Sequence, residues 1–205
     1  MDVKDALDTW LFRGISDLYF SFYIDDWVFD YQSAFSSIMG LEKHLKATVI
    51  YYKRDKYESL STNQAKIEIE RIARKYGHNF KKMIKVCNEC IGSNRLSNLV
   101  DQDYHLYNGT QLVSVLDKAY EETRYPTINR VSSNFSLDEP NTYHDPLSSS
   151  GLHRFIYTIC EFLVLELENN IDLDKLLKRF TEQYGHMEQF RRFQNVFLKD
   201  KWPKY

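Results

Sequence analysis

Residues 34–52 of the chain have the sequence AFSSIMGLEKHLKATVIYY. Side chains that recur at steps of three and four lie on one stripe of a helix, and the members here are Ala34, Ile38, Leu41, Leu45, Thr48 and Tyr52. Phe35, Met39 and Val49 widen this stripe, as a helix with several packed neighbours requires. The pattern predicts a central core helix that runs to about Lys53.

A pair of opposite charges accompanies this apolar stripe. Glu42 and Lys46 are four residues apart with the acid on the N-terminal side, so they can pair on one helix face. An ion pair beside a buried stripe is the most informative local pattern in the chain.

Composition favours a helical protein of ordinary globular type. The 205 residues are 43% hydrophobic and 27% charged, which argues against wholesale disorder. The 7 Gly and 4 Pro lie mostly between periodic segments, so long helices fit better than a turn-rich β fold. A run of about 18 apolar residues does not occur, so we expect no membrane span. The N-terminus lacks a secretory pattern, and three cysteines are an odd number for a disulfide framework, so we expect a cytoplasmic protein.

Helix signals continue on both sides of the central helix. Ser61 and Gln64 have capping-box spacing, while Gly77 and Gly92 are suited to helix ends. Residues 54–62 are polar and are predicted to form a loop. The predicted helices are residues 3–24, 34–53, 61–76, 78–91, 96–100, 110–124, 152–167, 173–184 and 187–198.

These elements predict an all-α, up-and-down antiparallel helical bundle over residues 1–126. A polar loop or linker follows at 127–149, and residues 150–205 form a helical C-terminal extension that packs on the bundle or on a partner. Phe162 to Leu165 are apolar on every helix face, which indicates either deep burial or a subunit interface.

Charge is distributed unevenly along the chain. The net charge is −5 over residues 1–40, +7 over residues 41–85 and −4 over the remainder. A concentrated positive block attracts phosphate, although Lys and Arg also solvate the outer faces of helices.

Three short motifs resemble a known family. The segment from Gly40 to Ala47 is similar to the central helix of HEPN (higher eukaryotes and prokaryotes nucleotide-binding) domains, which carries a Glu followed four residues later by Lys-Ala. Gly77-His78-Asn79-Phe80 resembles the family's Gly-His-Asp-Leu helix start, and Arg124-Tyr125-Pro126 resembles its Arg-Tyr-Pro element. The resemblance covers about residues 5–126. It implies a helical bundle, often dimeric, of the kind found in nucleotidyltransferase partners, toxin and phage-defence proteins, and ribonucleases.

The ribonuclease branch of that family places an Arg before a His with four to six residues between them. Two such pairs occur here, Arg71 with His78 and Arg179 with His186, each through Tyr-Gly-His. Ile72 and Phe180 follow the arginines where the family usually has a polar residue, and both glycines are expected to break the helix. We therefore favour two helix stops over two catalytic pairs. The repeated spacing also suggests an internal duplication, in which residues 63–91 and 171–199 would superpose.

We expect a ligand-binding cluster of Glu42, Lys46 and His78. His78 is predicted to lie early in a helix, where exposed N–H groups attract anions, and Lys81 and Lys82 add positive charge. The family resemblance adds Arg124. The alternative is that His78 only caps a helix or bonds within the bundle. The Cys87-to-Cys90 spacing lacks a second ligand pair, so we expect core packing and neither a metal nor a cofactor.

The sequence and the resemblance together favour a non-catalytic nucleotide- or RNA-binding or protein-interaction module. The resemblance alone places it in a bacterial or phage stress or defence setting, as a homodimer or with a partner protein. The alternatives are a metal-independent ribonuclease toxin and a purely structural helical dimerisation protein.

Overall fold

Helices make up nearly all of the regular structure, and the predicted all-α bundle is confirmed. The computed structural model describes residues 3–25, 30–104, 107–124 and 150–203. Its helices are α1 Val3–Asp25, α2 Asp30–Tyr52, α3 Arg54–Glu58, α4 Thr62–Lys75, α5 Phe80–Ile91, α6 Arg95–Val100, α7 Gly109–Arg124, α8 Ser150–Leu167, α9 Leu173–Tyr184 and α10 Glu188–Gln194. A short antiparallel ribbon pairs β1, Asp103–Tyr104, with β2, Tyr107–Asn108.

The central helix α2 is enclosed as its periodicity predicts. Ala34, Ile38, Leu41 and Leu45 have no exposed surface, and α2 packs against α1, α5, α7 and α8. Tyr52 is the exception on the predicted stripe, because it is 37% exposed at the last residue of the helix. The stripe is therefore core over all but its final turn.

Helices α1 and α2 run antiparallel and cross at two glycines. A Cβ added to Gly40 would lie 2.7 Å from Leu18 Cδ2, and one added to Gly14 would lie 2.7 Å from Cε1 of His44. Real Cβ atoms do not approach side chains this closely, so both positions need glycine for the helices to meet. Near the connection between the helices, Ser33 Oγ donates to the Ser21 carbonyl at 3.0 Å.

Two predicted boundaries differ from the structure. Residues 54–58 form α3 instead of a loop, because the buried ring of Tyr57 anchors a short helix. The polar composition of this segment gave no sign of that helix in the sequence. The last helix ends at Gln194 and does not continue to Leu198. There Leu198 adopts a left-handed φ of 52°, and its N–H donates to Glu161 Oε1 at 3.0 Å.

The C-terminal extension packs on the bundle. Helix α8 lies against α2, α6 and α7, and Leu163 and Val164 are fully buried, which supports burial for the apolar run of α8. Aromatic rings join α9 and α10 to α1; this aromatic cluster comprises Phe12, Tyr19, Phe22, Phe180, Tyr184, Phe190, Phe193, Phe197 and Trp202. In the described ranges, no helix combines the length and apolar character that crossing a membrane requires.

The backbone conformation differs between the two Tyr-Gly-His segments. Gly77 and Gly92 have φ values of +53° and +70°, the left-handed conformation expected of glycine at a helix end. Gly185 has a φ of −61°, and α10 has 7 residues where α5 has 12. These differences argue against an internal duplication. The predicted stop at Tyr125-Pro126 and the predicted 127–149 linker lie outside the described residues.

The glycine crossing makes a testable prediction. Gly→Ala in the middle of a helix normally stabilises a protein, by about 0.5–1 kcal/mol. We expect Gly40→Ala to destabilise this chain by about 1–3 kcal/mol, because its Cβ overlaps Leu18. Urea unfolding followed by circular dichroism measures the change. Lys66→Ala, at an exposed position of α4, is the control, and a stabilised Gly40→Ala variant would contradict the close crossing.

Candidate functional site

A buried carboxylate joins the central helix to the turn between α4 and α5. Glu42 Oε1 accepts a hydrogen bond from Lys46 Nζ, and Glu42 Oε2 lies 2.7 Å from His78 Nδ1. Glu42 and Lys46 are each only 4% exposed, whereas the His78 side chain is 37% exposed. The predicted contact of the three residues is confirmed, and their ligand-binding role stays a prediction.

The pairing removes the main cost of burying Glu42. Taking a charge out of water costs several kcal/mol unless a partner and hydrogen bonds compensate it. Both carboxylate oxygens have such partners, one from α2 itself and one from His78. Because a carboxylate accepts hydrogen bonds, Nδ1 of His78 carries a proton and the ring orientation is set.

A second ion pair lies beside this network and was not foreseen. Lys43 Nζ donates to Asp17 of α1, and both side chains are partly buried. Burial raises the pKa of Asp17; the hydrogen bond from Lys43 opposes this rise and the negative charge of Glu42 adds to it. The Trp10 ring of α1 lies near Lys46, whose Nζ is 5.9 Å from the centre of the ring. The antiparallel register of α1 and α2 brings these residues together, which sequence spacing alone does not reveal.

His44, next to the network along the sequence, faces the core. Its Nδ1–H donates to the Gly40 carbonyl at 2.7 Å, and burial lowers its pKa to about 4. Its Nε2 is buried without a hydrogen-bond partner in the described structure. His44 is therefore a neutral core histidine at the α1–α2 crossing.

The start of α5 differs from the prediction. His78 precedes the Asn79 cap, so it lies outside the helix. The N–H groups of Phe80 and Lys81 donate to Asp117 Oδ1 at 2.6 and 3.5 Å, and the Lys82 N–H donates to Asn79 Oδ1 at 2.7 Å. The expectation of exposed N–H groups was wrong, because a carboxylate from α7 already occupies them.

Positive charge at this end of the bundle comes from lysine side chains. Lys81 and Lys82 are exposed on the first turn of α5, as predicted. Lys82 Nζ lies 5.8 Å from the centre of the Tyr76 ring, and Lys75 Nζ lies 5.6 Å from it. Arg124 is the last residue of α7, and its side chain is outside the described part of the structure.

Each arginine of the two ribonuclease-like pairs has a partner other than its histidine. Arg71 Nη1 lies 3.3 Å from Glu68 Oε1, whereas His78 bonds to Glu42. The Arg179 guanidinium lies 4.1 Å from the centre of the Phe12 ring, and His186 is exposed. These contacts favour the interpretation of both Tyr-Gly-His segments as helix ends.

Cys87 is part of the core, as expected from its position. Its Sγ–H donates to the Leu45 carbonyl at 3.3 Å, and burial raises the pKa of its thiol. Cys90 is half-buried. Within the described ranges, no group of three or more His, Cys, Asp or Glu side chains is placed to hold a metal ion.

No family model, curated protein or solved structure matches this chain.

The buried pair predicts a large loss of stability on removing one partner. We expect Glu42→Gln to destabilise the protein by about 3 kcal/mol or more, because the Lys46 ammonium stays buried without its counter-charge. The double replacement Glu42→Leu with Lys46→Leu should recover much of this loss, since no buried charge remains. Urea unfolding measures both, with Glu68→Gln, at a partly exposed position of α4, as the control expected to change little. A small loss for Glu42→Gln would show that the pair is solvated.

The pKa of His44 predicts a pH dependence of stability. The unfolded histidine binds a proton near pH 6.5 and the folded one only near pH 4, so stability falls as pH decreases between these values. The full effect is about 3 kcal/mol. Burial raises the pKa of Asp17 and Glu161, which acts in the opposite direction, so the informative quantity is the difference between wild type and His44→Leu. If both proteins lose stability in parallel over this range, His44 is not the titrating group.

Proposed function

We propose that this chain is a non-catalytic, HEPN-like module that binds the phosphate of a nucleotide or RNA. The binding surface would be the end of the bundle where His78 lies beside the lysines of α4 and α5. The observation that carries the proposal is the buried Glu42 carboxylate, which holds the partly exposed imidazole of His78 at that surface.

The electrostatics of the surface support an anionic ligand. Between Thr62 and Ile91 the chain has seven Lys and Arg against three Glu. Lysine ammonium groups bind phosphate as point charges, and this attraction weakens as salt screens it. Because Glu42 orients the imidazole before a ligand arrives, less conformational entropy is lost on binding.

The arginine contacts support binding without cleavage. Metal-independent RNA cleavage needs a phosphate-holding cation and a proton-transferring group at the same phosphate. Arg71 pairs with Glu68 and Arg179 lies on Phe12, so neither arginine is directed to its histidine. The bacterial or phage defence setting and a homodimeric state are proposed from the family resemblance alone.

The test is binding of a fluorescent single-stranded RNA measured by anisotropy at increasing KCl concentrations. We expect affinity to fall steeply with salt. We expect His78→Ala to weaken binding about tenfold, through loss of the hydrogen bond that Nε2–H of the protonated imidazole donates to a phosphate oxygen. His186→Ala is the matched control, because it removes an exposed histidine that also follows Tyr-Gly. Thermal unfolding of both variants shows whether the fold is retained.

Three outcomes would overturn the proposal. The first is the absence of salt-sensitive binding, which would favour a structural role. The second is unchanged affinity of a destabilised His78→Ala variant, which would make His78 purely structural. The third is RNA cleavage in the presence of a chelator that is lost in His78→Ala, which would make the chain a ribonuclease.

A further inference from the structure

Three lysines from three parts of the fold lie around the Tyr76 side chain. Lys53, directly after α2, donates from Nζ to the Tyr76 hydroxyl at 3.5 Å. Lys75 ends α4 and Lys82 lies in α5, and their Nζ atoms lie 5.6 and 5.8 Å from the centre of the ring. Tyr76 itself is only 5% exposed, so packing fixes the position of its ring.

Three other basic side chains of this part of the fold have acidic partners. Lys56 and Arg71 share Glu68, and Lys85 pairs with Glu89. In the described ranges, no ion pair joins Lys53, Lys75 or Lys82 to an acid. Three like charges held around one ring repel one another, and an anion between them would relieve that repulsion.

The arrangement suits a phosphate with two negative charges. A phosphodiester in an RNA backbone carries one negative charge, whereas a terminal phosphate monoester carries nearly two at pH 7 and has three strong acceptor oxygens. Three ammonium groups match the three acceptor oxygens of such a phosphate in number. Contact with the aromatic ring limits the freedom of Lys75 and Lys82 before the ligand arrives.

We infer that Lys53, Lys75 and Lys82 around Tyr76 form a binding site for a terminal phosphate monoester. The inference rests on the proposed function and specifies its ligand class. The monoester is either the phosphate of a free nucleoside monophosphate or the 5′ phosphate of an RNA. The start of α5 does not provide this site, because Asp117 and Asn79 occupy its N–H groups.

The experiment compares one RNA sequence with a 5′ phosphate and with a 5′ hydroxyl. Anisotropy gives the affinity of each form for wild type and for Lys53→Gln with Lys82→Gln. We expect wild type to prefer the phosphorylated RNA by about tenfold, and the double variant to bind both forms equally. Lys85→Gln removes the same kind of charge from α5 but from a residue paired with Glu89, and it should keep most of the preference.

Competition identifies the source of the phosphate. Adenosine monophosphate should displace 5′-phosphorylated RNA while adenosine does not. Displacement only at concentrations far above those of the RNA would assign the site to RNA 5′ ends. Displacement at comparable concentrations would assign it to free nucleotides.

The inference fails if wild type shows no preference for the 5′ phosphate, if the double variant keeps that preference, or if Lys85→Gln loses it equally. In each of these cases salt-sensitive RNA binding itself would persist, so the proposed function would stand. Absence of RNA binding at every salt concentration, together with absence of adenosine monophosphate binding by calorimetry, would overturn both. Tyr76→Phe, which keeps the ring and removes the hydroxyl, should reduce the preference less than the double variant, and thermal unfolding checks that each variant is folded.

Discussion

The structure depends on supplying hydrogen bonds and a counter-charge to one buried carboxylate, that of Glu42 in the central helix α2. Helix α2 has packed neighbours along its length, so the charge of Glu42 would be very costly there without compensation. Lys46 supplies the counter-charge from the same helix, and His78 supplies a hydrogen bond from a segment 36 residues away. The same contact therefore fixes the α4–α5 turn on the core and brings an imidazole to the surface. Fold and candidate site share one interaction.

Patterns that are local in sequence predicted much of this arrangement. Helical periodicity identified α2, the four-residue step identified the Glu42–Lys46 pair, and Gly77 and Gly92 were expected at helix ends. These features depend on backbone geometry within a few residues, which spacing encodes directly. The contact between Glu42 and His78 also required the family resemblance, because no local rule joins two segments so far apart.

Features that depend on tertiary contacts were missed. Asp117 caps a helix that begins 37 residues before it, and lysines from three segments lie around the Tyr76 side chain. His44 follows Lys43 and precedes Lys46 in a charged segment. Its ring is nevertheless buried against Gly14, where α1 and α2 cross. The aromatic cluster likewise fixes the C-terminal extension on α1 through rings spread over 190 residues, from Phe12 to Trp202. Apolar composition indicates that such rings are buried but not which of them meet.

The Asp117 cap has a consequence for selectivity among anions. Its carboxylate is attached to α7 and cannot diffuse away, so it competes at the start of α5 with any dissolved anion at a local concentration that does not fall on dilution. A weakly bound solute such as chloride or acetate gains little by displacing it. Occupancy of those backbone amides by an outside anion would require the Asp117 side chain to move away, so the cap protects the start of α5 from nonspecific ions.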